Sequence, residues 1–233
     1  MKMRPDNTKL VLFSPIIVFV DKLKAANSIN YVSSGLFSGD PIMLPIPDDA
    51  PSEIPRMQMA SKDGKHNLSI ARNRLDLLFK YKEDEAEKLF PSPGLFETFL
   101  TIFNYLREDA HIQVTRCAIV SNWILELEKP GAEVILSSYV RSKTPIIKPY
   151  ELELHYLAKR SIAGFDVNKW TRIKSARKIN EPENNRFISF YIDINTLAEV
   201  TYEFNKESLH LFLDESSKVI KETIDEHLKN MEE

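Results

Sequence analysis

The residues able to do chemistry are few and scattered in this chain. Its five histidines (His66, His111, His155, His210 and His227) never stand at the HxH or HxxxH spacing that would put two imidazoles on one metal. His66 flanks a turn signal, His155 sits among strand formers, and His227 continues the apolar face of the last helical segment, the place of a core histidine. The single cysteine, Cys117, lies within Val114-Thr115-Arg116-Cys117-Ala118-Ile119-Val120, the setting of a buried, inert thiol. No GxSxG elbow offers an activated serine. The six glycines never group as GxGxxG or GxxxxGKS/T, so a glycine-cradled phosphate is not expected. Carboxylates cluster at Asp48-Asp49, Glu83-Asp84-Glu85 and Asp225-Glu226, in loop or polar-face positions where solvated charge is the ordinary state. Asp193 is different, because it interrupts the apolar run around Ile192 and Ile194. Alternation places it with Phe187, Ser189 and Tyr191 on the more polar side of a strand, pointing to water. No proton-transfer partner is placed beside it. No catalytic residue, metal ligand or cofactor is therefore assigned; an enzyme whose site is assembled from distant residues stays open as an alternative.

Charge carries the strongest surface signal. Between Arg141 and Lys178 the chain has ten basic residues and three acids, a local excess of seven positive charges. Within Lys169–Lys178, period-2 alternation puts Trp170, Arg172, Lys174 and Lys178 on one face and Ile173 on the other. An aromatic beside a row of cations on a sheet can stack a base and hold phosphates. The last 33 residues, from Thr201, carry nine acids against four bases. Three arrangements follow: the acidic terminal helix packs near the basic strand and balances it, the cations are simply solvated, or the strand is left for an anionic partner, nucleic acid first.

The elements that must position these residues are legible from periodicity. Lys9–Phe13 reads as a strand. The stretch from Pro15 carries Ile16, Phe19, Val20, Leu23, Ala26 and Ile29 at helical spacing and is expected to be helical, although its residues are also strand formers. A proline-rich crossover spans Asp40 to Pro55. Arg56–Ser61, Asn67–Ala71 and Arg74–Tyr81 follow as a meander, with Asp63-Gly64 as its hairpin turn. Leu95–Glu108 is an amphipathic helix. The second half repeats the order: a strand over Val114–Leu127, a short helix over Gly131–Val140, a crossover holding Pro145 and Pro149, and three strands over Glu151–Arg160, Lys169–Lys178 and Arg186–Ile194. A last helix runs from about Lys206 to Asn230 behind Asn205 as N-cap. The expected fold is α+β, antiparallel meanders packed with helices, with an internal β-α-β-β-β-α duplication. Its halves are 1–110 and 111–233, separate or joined into one continuous domain around a curved sheet. No residue-level repeat accompanies that order.

Composition agrees with a globular protein. The 233 residues are 43% hydrophobic and 28% charged, enough for one sizeable core or two modest ones, and the net charge of −3 draws the chain as a whole to no polyanion or anionic membrane. Lys2 and Arg4 before the apolar run Leu10–Val20 imitate a signal peptide. Asp6, the break at Pro15 and the charges at Asp21, Lys22 and Lys24 argue for core structure instead. The run is too short to span a bilayer. One cysteine and no leader give a cytoplasmic expectation, with no membrane partner.

At Pro55-Arg56, Ser61, Asp63-Gly64 and Arg72-Asn73-Arg74, then Tyr81 and the helix Leu95–Leu106, the chain resembles a sporadically distributed family of uncharacterised prokaryotic proteins. These carry an N-terminal apolar strand, a proline-rich crossover and a PR…SxDG hairpin. The likeness covers residues 9–127. It brings no catalytic residues and implies an accessory role, in bacterial (antiviral) defence or toxin–antitoxin pairing. The function expected is a non-enzymatic interaction protein that engages a protein partner or a second copy of itself through its exposed sheet face, at Trp170, Arg172, Lys174 and Lys178, or through its proline-rich crossovers. The alternative is a nucleic-acid binder using the Trp170 face.

Overall fold

The computed structural model describes residues 2–47, 49–82, 90–140, 149–177 and 185–232. The first strand, β1 (Lys2–Phe13), is longer than its apolar part; Leu10 and Leu12 enter the core while Val11 faces the other way. Residues 14–21 form no regular element, which corrects the expected helix from Pro15. The helix α1 (Lys22–Val32) starts only where the Asp21 carboxylate accepts the Lys24 N–H at 2.9 Å. A two-residue strand, β2 (Ile42–Met43), interrupts the proline-rich crossover, and Arg56 ties that crossover down by donating to the Ile46 and Pro47 carbonyls.

The meander is as expected: β3 (Met57–Ala60), β4 (His66–Ile70) and β5 (Arg74–Lys80) pair in sequence. Its tight turn needs Gly64 at φ +69°, and the Asp63 carboxylate accepts from the Ser61 hydroxyl at 2.6 Å. Helix α2 (Leu95–Asn104) lines one stripe with Leu95, Phe99, Leu100 and Phe103, then passes into a π turn, Tyr105–Asp109, that buries Leu106. β6 (Arg116–Glu126), α3 (Gly131–Tyr139), β7 (Glu153–Ile162), β8 (Phe165–Ala176) and β9 (Phe187–Thr196) follow. The chain ends in α4 (Lys206–Glu232). Asn205 caps α4 as expected: its side chain accepts the Ser208 N–H at 2.7 Å, and the Ser208 hydroxyl accepts the Asn205 N–H at 3.0 Å. The acidic stretch at Glu83–Lys88 and the crossover's Pro145 lie outside the described residues.

The fold is α+β. The nine strands among the described residues join one antiparallel sheet in the order β2-β3-β4-β5-β1-β6-β9-β8-β7. The seam is the β1–β6 pair, so the sheet runs unbroken past the junction of residues 110 and 111. Outward from that seam the order is β5-β4-β3 on one side and β9-β8-β7 on the other. β2 and the π turn have no counterpart across the seam among the described residues. The halves thus share a strand order; their common descent is a proposal that rests on that order.

Alternation divides the sheet into two unlike faces. Leu10, Leu12, Leu75, Leu77, Ile119, Leu125, Ile173, Phe190 and Ile192 point to one side and form a single apolar cluster with Ile29, Phe99, Phe103, Ile135, Leu213 and Ile220 from the helices. Val11, Ala118 and Val120 point to the other side and are outside that cluster. No described helix packs on this second face. No helix among the described residues is long and apolar enough to cross a membrane.

Candidate interaction face

β8 positions three of the four residues singled out in the sequence. Its alternation is sharp: Val167, Lys169, Thr171, Ile173 and Ser175 are buried toward the helices, while Trp170, Arg172 and Lys174 project from the helix-free face. Lys178 lies outside the described residues. Cross-strand register brings further groups beside the three. His155 and Tyr191 lie directly opposite Arg172, on β7 and β9. Leu157 and Asp193 lie opposite Trp170, and Glu153 and Ser189 opposite Lys174. The His155 and Trp170 rings sit 4.9 Å apart at 39°, and the Arg172 guanidinium lies 5.8 Å from the Tyr191 ring centre.

The cations are partly balanced on the sheet itself. Glu153 pairs with Arg172 at 2.9 Å and reaches Lys174 at 4.0 Å, both exposed contacts of modest strength. The acidic helix α4 takes no part. It lies on the opposite face, where the Lys169 Nζ donates to Thr223 at 2.9 Å. Burial pushes the Lys169 pKa down, and Glu226 and Glu222 of α4 oppose that shift. The acidic helix thus does pack against the basic strand, as the first arrangement has it, but from the far side of β8, where it meets Lys169; Arg172 and Lys174 project from the opposite face.

Toward the seam the face becomes polar and more enclosed. Asp193 is half-buried, not simply solvated as alternation alone suggested. Burial pushes its carboxyl pKa up, against the Asn195 side chain that donates to it at 2.9 Å and the charge of Lys9. Tyr191 is pushed up in turn by burial and by Asp193. Asn122 of β6 donates to Asn7 of β1 at 2.8 Å across the seam. Beside them Val11 and Val120 are 3% and 5% exposed, although no helix among the described residues packs on this face. Arg116 lies over the Phe13 ring at 4.6 Å and donates to the Thr196 carbonyl. Lys9 and the exposed Lys159 make no ion pair among the described residues. Sequence reading missed Lys9, His155 and Tyr191 as members of this surface. Tyr191 already shared a polar face with Asp193, but placing it beside Arg172 requires the β8–β9 register.

The remaining candidates for chemistry resolve as structure. Cys117 is fully buried, and burial holds its thiol well above the usual range. His227 is a satisfied core histidine: Nδ1 lies 2.9 Å from the Tyr139 hydroxyl and Nε2 lies 3.0 Å from the Tyr156 hydroxyl. Among the described residues no three His, Cys, Asp or Glu side chains group to hold a metal ion. No protein-family model matches the chain, and no curated protein sequence matches it.

Proposed function

We propose that this protein works by contact, as a binding protein that engages an anionic macromolecule, nucleic acid first, on the helix-free face of its sheet. One observation carries the reading: Trp170, Arg172 and Lys174 stand on a sheet face with no described helix over it, while the acidic helix α4 lies behind the sheet. Local segregation of charge lets a chain of net charge −3 attract a polyanion that its overall charge would repel. Retention on immobilised heparin tests this directly. The wild-type chain is expected to bind at about 50 mM salt and elute well below 500 mM, as few-contact polyanion binding does. Lys159→Glu, Arg172→Glu and Lys174→Glu together are expected to abolish retention. A wild-type protein that passes straight through at low salt ends the reading.

A second reading, a protein partner, is favoured by a separate observation. Ile16, Val18, Val20, Leu23 and Tyr31 are large apolar residues left exposed around α1. Leu23 and Tyr31 border a groove of about 730 Å³ that also meets Tyr105 of the π turn. Leu23→Asp with Tyr31→Asp is expected to release a protein partner that Arg172→Glu leaves bound. In either case the role proposed from the family resemblance is accessory to bacterial defence or toxin–antitoxin pairing; neighbouring genes for a nuclease, ATPase or toxin would support it.

A further inference from the structure

Resting on the anionic-partner reading, we infer that the ligand of this face is single-stranded nucleic acid, held with its bases stacked on Trp170 and its aromatic neighbours. Three features converge on that chemistry. First, the aromatic groups are clustered. His155 and Tyr191 flank Arg172 on neighbouring strands, and both lie diagonally next to Trp170, one on each side. Adjacent strands run about 4.8 Å apart, so the three rings fall within the reach of successive unstacked bases. Second, the cations border the rings. Arg172 and Lys174 continue along β8 from Trp170, Lys159 lies on β7, and Lys9 faces the seam. Phosphates between successive bases would meet a charge on either side of the ring cluster.

Third, the shape suits an open strand better than a duplex. A duplex keeps its bases stacked and shows phosphates and groove edges, which a ring lying within a sheet surface cannot stack upon. An unpaired strand offers the π-face of every base, and a sheet carrying aromatic side chains is a surface that takes it. The pairs that Glu153 makes with Arg172 and Lys174 do not oppose this, since both are exposed and exchange readily for phosphate. Little dependence on base identity follows, because stacking accepts any base.

The chain supplies its own reporter. Its two tryptophans differ in setting: Trp123 is 8% exposed and points into the helix side of β6, whereas Trp170 stands on the ligand face. Base stacking quenches indole emission, so quenching on binding reports Trp170. The experiment titrates the full chain with a labelled dT15, a labelled rU15 and a 15-base-pair blunt duplex, following anisotropy and tryptophan emission at several salt concentrations. The result expected is binding of the single strands at least tenfold tighter than the duplex, with quenching. The salt slope should lie near −2 to −3, as three to four phosphate contacts on a single strand give. Trp170→Ala should weaken binding about 5- to 100-fold. Trp170→Phe should keep binding within about threefold and lose the quench, which separates stacking from damage to the fold. Equal or tighter binding of the duplex, or Trp170→Ala binding as wild type while Arg172→Glu with Lys174→Glu does not, overturns the single-strand inference and leaves the polyanion reading standing. Failure of the wild-type chain to bind any of the three probes at 50 mM salt overturns both.

Discussion

A neutral imidazole has one donor and one acceptor, and His227 spends both on tyrosine hydroxyls. One tyrosine donates to it and the other accepts from it. Burial against Phe190 and the nearby Lys169 charge push its pKa down to about 4, with Glu226 opposing weakly. Burial also raises the Tyr139 hydroxyl. The unfolded chain titrates near 6.5, so between 6.5 and about 4 it binds more protons than the folded protein. The contribution is complete above 6.5 and is lost as pH falls through that window. His227 is expected to contribute about 2 kcal/mol to the difference in urea unfolding between pH 7.5 and pH 5, and His227→Leu to remove that share. An unchanged difference in the variant would assign the pH dependence to other groups. Much at this scale was readable beforehand. The apolar run around Cys117 announced its burial, and period-2 spacing placed Trp170, Arg172 and Lys174 together. What alternation cannot supply is the group across the next strand. Glu153 neutralising Arg172, and Tyr191 lying against it, depend on register between segments distant in sequence.

At the scale of elements, the strands and most helices follow from periodicity, and the exception has a physical cause. The residues from Pro15 to Ile29 fit a helical template, but four of the first six are β-branched and lose side-chain freedom in a helix. Asp21 meanwhile offers a helix start where its carboxylate satisfies the Lys24 N–H. The chain takes the later start, which leaves Ile16, Val18 and Val20 exposed and buries Ala25, Ala26 and Ile29 instead. Helix α3 shows a tighter constraint. A Cβ at Gly131 would lie 2.2 Å from the Phe187 carbonyl oxygen, a contact with backbone that no side-chain motion relieves. The Gly131 N–H also donates to the Asn185 carbonyl at 2.9 Å, fixing the helix start against the entry to β9. Gly131→Ala is therefore expected to cost about 2–3 kcal/mol by overpacking, despite alanine's better helix propensity. Thermal unfolding reads this; a variant as stable as wild type would show that α3 can move away from β9 freely.

The whole molecule is governed by its seam. Strands β1 and β6 pair along nearly their full length, and each carries core residues toward the helices: Leu10 and Leu12 from one, Cys117, Ile119 and Leu125 from the other. The helices cross the same boundary. α2 packs on α4, and Arg107 of the π turn donates to the Phe204 carbonyl just before α4 at 2.8 Å. The matching succession of elements in the two halves was legible in the sequence; the order in which their strands pair came only from the structure. The dependence of the halves on one another was not legible either, because nothing local in residues 1–110 tells β1 that its second neighbour lies beyond residue 115. Cutting at that junction strips β1 of one complete ladder and uncovers the apolar stripe of α2, while the second half loses the same surfaces in mirror fashion. Unsatisfied strand edges beside exposed leucine and phenylalanine favour aggregation over independent folding. Fragments 1–110 and 111–233 are thus expected to show little cooperative unfolding alone and to regain it when refolded together. The intact chain should melt in a single transition, with calorimetric and van't Hoff enthalpies in agreement. Two resolved transitions, or a fragment that melts cooperatively alone, would mean that each half has a sufficient core of its own. The face proposed to bind nucleic acid would then belong to the second half and could be carried by it. If the seam holds the halves together, that face needs the first half as well, since Lys9 and Asn7 reach it only through β1.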